Sequence, residues 1–426
     1  MSLFDFFDLL NEDPFTYFIC LVISVVLFIG VMKRTSSSWL NPIRFNIFTF
    51  SIGFSVILFL NFKGFVSSKT FAYLLICIAV YWGTFMSVFK NKQWAVNISF
   101  VDEPIIAKYL FYVTYTLYIL VTLFSYKLLG IPIFNENSRL VTYTGSGLGF
   151  IERISPVLYI YSLFYIIHLF SIKSKMADYI KTGIVLLPLI VIGILSGSRS
   201  SFLGIIFAFW GYRTFYRQKE PQVNDYKWLI IPFVVISIFT FSIQSLGDYT
   251  QASINFLQRI VASGDLYWEA LPNDAWQSVV VARPFEFVFM GFLGPLHILN
   301  PNLAEIPIGF QLTNITYTSI NDASTGPVAL FPVTSLVLFG YVGGLLFTFF
   351  QALFASLLFK LSYVKSNSII ICAMMYFTLY SIITLIGDIS AGLGACLDVL
   401  VCFAFIFILI MTIAFIFYRK IDAKIE

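Results

Sequence analysis

Charge is what this sequence has least of. Lys, Arg, Asp and Glu make up 11% of its 426 residues, against about 25% in an average soluble domain, so a water-facing surface of ordinary size is excluded. Histidine occurs twice, and the five cysteines (Cys20, Cys77, Cys372, Cys396 and Cys402) form no C-x-x-C pair. A zinc site built on ligand spacing is therefore excluded, and the cysteines read as small apolar side chains. The net charge of +4 is dispersed without a basic block, which argues against a nucleic-acid partner. No P-loop, Gly-x-Ser-x-Gly elbow or paired-carboxylate metal motif is present, so neither nucleotide-driven chemistry nor a serine hydrolase is indicated. The expectation is a chain without cofactor or metal. A signal peptide's positive start is also missing: Asp5, Asp8, Glu12 and Asp13 stand there instead, and the first apolar run reads as a retained span.

What is abundant is apolar: 59% hydrophobic residues, 49 phenylalanines and a mean hydropathy of +0.88. Runs long enough for membrane helices recur near 15–32, 45–62, 70–89, 109–129, 155–172, 180–196, 200–214, 228–245, 328–359, 367–387 and 395–418. These predict an all-α polytopic membrane protein with about 11 transmembrane helices in a single domain, 1–426. The 200–214 run is short, and 328–359 is long enough to be tilted or partly extramembrane.

Numbering the connections alternately places 18 of the 26 Lys and Arg residues in one set and eight in the other. The positive-inside rule then puts the N-terminus outside and the C-terminus in the cytoplasm. Both long loops, 130–154 and 246–327, face outward. The second is far longer than ordinary helix connections, yet it carries Trp268, Trp276, Tyr249, Tyr267, Tyr317, Phe285, Phe287, Phe289 and Phe292 between Gly and Pro, so it has surface to bury against a bundle. Within it, 251–262 has the spacing of an in-plane amphipathic helix. The apolar stretch 285–299, interrupted by Gly291, Gly294 and Pro295, suits a re-entrant segment.

Outward arginines run against the topology rule, so each calls for a reason. Arg139, Arg199, Arg259 and Arg283 are such residues, and guanidinium forks bind phosphate bidentately. Arg199 lies in Ser-Gly-Ser-Arg-Ser-Ser (196–201), where small residues permit close backbone approach, Ser198 and Ser200 add donors, and a helix start favours an anion. Snorkelling to headgroups or loop ion pairing is the alternative for these side chains. Arg153 reads as paired with neighbouring Glu152. As acid or base, His297 is the only ionisable group in Gly-Pro-Leu-His-Ile-Leu-Asn (294–300). Asp265 and Glu269, four apart, share a face if their segment is helical and follow Arg259 closely enough to pair with it. His168 reads as structural, and Asp388 and Asp398 as residues near the outer ends of the last two spans.

The run 196–201 between two spans resembles the bacterial O-antigen polymerase (oligosaccharide repeat-unit polymerase) family. So do Gly-Ser-Gly-Leu-Gly-Phe-Ile-Glu-Arg-Ile (145–154) after Arg139, the long loop with Arg259 and Arg283, and Thr-Gly-Pro (325–327) before a span. The resemblance implies a multi-pass inner-membrane glycosyltransferase acting at the periplasmic face on undecaprenyl-diphosphate-linked oligosaccharides, with a chain-length regulator as a further partner. It assigns Arg199 and Arg283 to diphosphate, Arg139 and Arg259 to diphosphate or sugar, and His297 or a loop carboxylate to the base. The related ligases carry an adjacent His-Asn pair, whereas here Asn300 follows His297 by three. The competing expectation is a transporter, in particular a flippase of lipid-linked oligosaccharides; such proteins carry charges nearer mid-membrane and shorter loops.

Overall fold

The computed structural model of the chain describes residues 1–36, 38–89, 96–98, 104–134, 149–172, 175–196, 200–222, 224–225, 261–299, 306–317 and 326–425. Among these residues nine helices are long and apolar enough to cross a membrane, and the fold is that of an all-α polytopic membrane protein. Of the two further spans expected from sequence, 228–245 lies outside the described residues. The 200–214 run forms a helix of only 12 residues, Ser200–Gly211, that passes into a π-helical turn at Tyr212–Tyr216.

The chain divides into two compact units. The first comprises Met1–Gln93, Asp248–Lys360 and Ser381–Ala395. It opens with α1 (Leu3–Glu12), α2 (Pro14–Thr35), α3 (Pro42–Phe62) and α4 (Ser68–Val88). Polar residues stop each helix from running into the next. Asp13 caps α2 through the Thr16 N–H, Asn41 caps α3 through Ile43, and Ser67 caps α4 through Thr70, while Pro14 and Pro42 fill first-turn positions that need no N–H. α3 is apolar on all sides and is the most enclosed of the spans, as expected of a central helix. Lys63 reaches back to Asp13 at 2.8 Å, so the α1–α2 and α3–α4 connections lie on one face, here called the N-terminal face.

The long loop docks into this unit through α9 (Asp265–Ala270), α10 (Pro284–Leu293) and α11 (Ile308–Thr316). Its entry point is deep. A Cβ at Gly53, near the middle of α3, would stand 2.7 Å from the Ser263 carbonyl, and one at Gly264 would stand 2.6 Å from the Val56 side chain. From there the chain climbs. Trp268 stacks on Phe6, with ring centroids 4.5 Å apart, and Asp274 receives hydrogen bonds from Thr70 and Ser67 at the start of α4. Residues 263–274 thus rise from mid-bilayer depth to the N-terminal face. Of the expected 251–262 helix, only Val261 and Ala262 are described; the latter opens a 3₁₀ turn. Within 285–299, α10 is helical and lies across the start of the last helix. There the Ser390 hydroxyl donates to the Phe287 carbonyl and Gly291 abuts the Ser390 backbone.

The expected long span at 328–359 is two arms, not one tilted rod. Element α12 (Phe331–Ser362) is interrupted at Gly340, whose φ of 67° and ψ of −167° are not helical. In a straight helix Ser335 and Thr348 would stand about 20 Å apart, yet the single thiol of Cys77 contacts both hydroxyls, at 3.7 and 3.1 Å. Phe339 packs on Phe347 at 4.7 Å. Residues 331–339 therefore form a half-helix folded back against 341–362. Its lower end is at mid-span depth, where Phe331 stacks on Tyr81 at 4.1 Å and on Phe50 at 5.3 Å. Tyr341, beyond the bend, meets Thr70 at the N-terminal face.

The second unit comprises Trp94–Gly247, Leu361–Tyr380 and Cys396–Glu426. It contains α5 (Pro104–Leu129), α6 (Gly149–Ile172), α7 (Met176–Leu195), α8 (Ser200–Gly211), α13 (Ile369–Ser381) and most of α14 (Ile389–Ile425). Tyr161 of α6 donates to the Ala107 carbonyl of α5, and Tyr165 stacks on Phe111. Strands β1 (Val96–Ile98) and β2 (Val364–Ser366) pair in parallel, Asn97 opposite Lys365. This puts the two strands on one face, and the connections that carry them belong to the lysine-rich set of the sequence. His168 of α6 lies 3.1 Å from the Tyr212 hydroxyl.

Arg153 corrects one expectation. It pairs with Asp398 of α14, not with Glu152, because successive residues on a helix point to different sides whereas a carboxylate on the neighbouring helix lies within reach. Asp398→Leu alone is expected to destabilise the protein by about 2–3 kcal/mol, the insertion cost of one unpaired charge in a span. The Arg153→Leu/Asp398→Leu double variant recovers most of that loss. Thermal melts of the three proteins in detergent check this; equal melting temperatures for single and double variants would contradict it.

Candidate functional site

The residues singled out in the sequence divide sharply. Arg139, Arg199, Arg259 and Ser198 lie outside the described residues, and Ser200 opens α8 with its side chain not described. Arg283 immediately precedes α10, half-buried, and bonds Glu286 at 2.8 Å. His297 is exposed in the turn after α10, with a left-handed φ of 56°. Asp265 and Glu269 do share one face: both belong to α9, one turn apart, and the Asp265 carboxylate accepts the Leu266 N–H at 2.8 Å.

Glu269 is the exceptional group. Only 6% of its surface is exposed, although the residue is a carboxylic acid in an otherwise aromatic setting. Thr313 of α11 donates its hydroxyl to the carboxylate at 3.1 Å. Burial pushes its pKa up from 4.5 to about 7, the negative charge of Asp265 adding to the rise while Thr313 opposes it. A carboxyl group that gives and takes a proton near neutral pH is matched to general acid–base work.

Its neighbours on α9 were not singled out for their polar ends, yet both are fully buried. The Tyr267 hydroxyl and the Trp268 indole N–H have no hydrogen-bond partner among the described residues. Orphaned buried donors are rare and call for an account; here two immediately precede Glu269, the one carboxyl raised to the neutral range among the described residues of the loop. Sequence offered them only as aromatic ballast, because the same rings that anchor a loop carry the donors. Thr313 had no signal at all. It follows Glu269 by 44 positions, and only the docking of α11 against α9 brings it into reach. Tyr317, after α11, accepts the Leu3 N–H at 2.8 Å, tying this assembly to α1.

Beside it, on the N-terminal face, lies a cavity of about 430 Å³ lined by Asp5, Asp8, Glu12, Phe65, Pro272 and Asn273 among others. Asp388 sits in the turn before α14, where it caps that helix through the Ser390 and Ala391 N–H groups. Burial raises its pKa against those two donors. Among the described residues no group of three or more His, Cys, Asp or Glu side chains is arranged to hold a metal. No protein-family model, no curated protein and no solved structure matches this chain.

Proposed function

We propose that the protein is a membrane glycosyltransferase that joins oligosaccharide repeat units carried on undecaprenyl diphosphate, at the periplasmic face of a bacterial inner membrane. Its N-terminus would be periplasmic and its C-terminus cytoplasmic. The observation that carries this reading is Glu269: a buried carboxyl, titrating near neutrality, on a loop helix docked into the bundle from the N-terminal face.

In the reaction, the acceptor sugar's hydroxyl gives its proton to the Glu269 carboxylate as its oxygen attacks the donor's anomeric carbon. The bond from that carbon to the diphosphate oxygen breaks, and undecaprenyl diphosphate departs with the electron pair. Asp265 keeps Glu269 basic by like-charge repulsion. Arg199 and Arg283 are assigned to the leaving diphosphate, with Ser198 and Ser200 as added donors, and Arg139 and Arg259 to diphosphate or sugar. Fixed guanidinium charge directed at a developing negative charge lowers the barrier without a metal. His297, exposed and apart from the buried carboxyl, is the less suitable base.

The test is reconstitution of the purified protein in vesicles with lipid-linked repeat units and a chelator. A ladder of products lengthening by whole repeats is expected, and Arg199→Ala abolishes it while the protein stays in the membrane. Lipid-linked units that cross the bilayer without being joined would instead identify a flippase. Loss of the ladder on chelation alone would overturn the metal-independent chemistry. Reporter fusions within 246–327 should report the periplasm; a cytoplasmic signal ends the proposal.

A further inference from the structure

A base must touch the hydroxyl it deprotonates, yet Glu269 is 6% exposed. Three elements enclose it, and they are not held equally. α3 spans the bilayer as the most enclosed of the spans. α11 supplies Thr313 to the carboxylate and is anchored through Gln311. That side chain accepts the Val280 N–H at 3.0 Å and donates to the Val280 and Ile306 carbonyls at 3.0 and 2.9 Å. Gly309 of the same helix packs on the Pro327 backbone with no room for a Cβ.

α1 is the loosely held wall. Its ten residues carry their own capping box, Ser2 with Asp5, and join α2 through Asp13 alone, whose φ of −143° and ψ of 64° are not helical. Asp13 is fixed by Lys63 and caps α2, so a pivot stands still while the helix before it can turn. Among the described residues no ion pair involves α1. Two attachments hold it over α9. The fully buried Phe6 ring stacks on Trp268 and meets Phe59 edge-on at 6.2 Å, and the Leu3 N–H donates to the Tyr317 hydroxyl. Tyr317 follows Thr313 by one turn, so the same stretch of chain holds both the carboxylate and α1. Burial raises the pKa of the Tyr317 hydroxyl, and the nearby charges of Glu269 and Asp5 add to the rise.

One edge of this closure is already parted. The cavity of about 430 Å³ has Asp5, Asp8 and Glu12 of α1 on one side and Pro272 and Asn273, just after α9, on the other. The three carboxylates are exposed with α1 in place, so turning it outward strips no charge of water. We propose that α1 is a lid over Glu269, turning about Asp13 to admit the acceptor sugar at this cavity and closing behind it. Closure keeps water, a competing hydroxyl, away from the donor's anomeric carbon. What the lid admits rests on the glycosyltransferase reading; that it opens does not.

The experiment first reads access to Glu269 without substrate. Full-length protein in detergent at about pH 6, where Glu269 holds its proton, is treated with dicyclohexylcarbodiimide, which attacks protonated carboxyls in apolar surroundings. Mass spectrometry follows modification of the Glu269 peptide. Phe6→Ala should raise its rate about tenfold or more, since the stack and the burial of the ring are both lost. Phe4→Ala, on the exposed side of the same helix, should leave it unchanged. In a second arm Leu3→Cys and Tyr317→Cys are joined by a short, cleavable bis-thiol reagent in a Cys396→Ser background, the other cysteines being buried. Labelling should slow about tenfold on joining, as an open state of a few per cent is removed, and recover on cleavage. Equal rates for Phe6→Ala and Phe4→Ala, or labelling undiminished by the link, overturn the lid. Lipid-linked repeat units then separate the two claims. A joined protein that still builds the ladder overturns the lid and keeps the enzyme. Labelling that follows the lid with no ladder from the unjoined protein overturns the enzyme and keeps the movement.

Discussion

Glu269→Gln is expected to lower the rate of product formation by about a hundredfold or more, the usual worth of a general base, while making the protein more stable above pH 7. The two effects have one origin. In the folded protein burial holds the pKa of Glu269 at about 7, against 4.5 for an unburied glutamate. Below about pH 4.5 the group is protonated in both states and the buried neutral acid costs little. Between about 4.5 and 7 the folded state holds a proton that the unfolded state has released, so stability falls as pH rises through this window and levels off above it. A shift of this size corresponds to roughly 3 kcal/mol, and glutamine, which never ionises, escapes the loss.

Melting curves at pH 5 and pH 8 should therefore lie closer together for Glu269→Gln than for the wild type, Asp388 keeping its own share of the difference. The catalytic rate of the wild type should climb through a midpoint near 7, since only the ionised carboxylate takes a proton. Glu269→Asp should retain part of the activity. A Glu269→Gln protein as active as the wild type would remove the carboxyl from the reaction, whatever its stability.

Gly340→Val is the second large effect. Its φ of 67° with ψ of −167° lies in a region that essentially only glycine occupies, and a side chain there costs about 1–3 kcal/mol. Valine's branching puts it at the upper end of that range, and the expected response is partial straightening of the two arms. The half-helix 331–339 would then withdraw Ser335 from Tyr73 and Cys77, which it now contacts at 2.9 and 3.7 Å. Cys77, now fully buried, should react with a membrane-permeant thiol reagent many times faster in the variant. Gly64→Ala is the control: its φ is also positive, at 78°, and its surroundings are as open as those of Gly340, but it lies in the connection after α3 and bends no helix. It should cost about 1 kcal/mol and leave Cys77 protected. An unreactive Cys77 in Gly340→Val would show that the bend does not depend on glycine.

The bend also marks where sequence reasoning stopped. Residues 328–359 scan as one long hydrophobic run, because an arm folded back on another is as apolar as a single rod. Hydropathy measures what the bilayer and the packed interior have in common and does not distinguish them. The glycines in this stretch gave no direction, since Gly343 and Gly344 are helical while Gly340 is not. For the short run at 200–214 the opposite held. It was counted as a span although its shortness was already plain, and it forms 12 α-helical residues before a π turn.

By itself the sequence determined the solvent. With 11% charged residues and about 20 apolar residues at a time, a helical bundle in lipid is the only fold that satisfies the backbone. The alternation of lysine and arginine determined which connections share a side. Within each unit the Lys63–Asp13 pair and the β1–β2 pairing agree with that grouping. The spacing of Asp265 and Glu269 determined that they share a helix face. Which carboxylate would be shifted was decided by tertiary structure alone. A pKa depends on what surrounds a group in space, and Glu269 is enclosed by α1, α3 and α11, far away in sequence. The same holds for Arg153, whose partner Asp398 is 245 positions away, and for Trp268, whose orphaned N–H becomes visible only once its ring is buried.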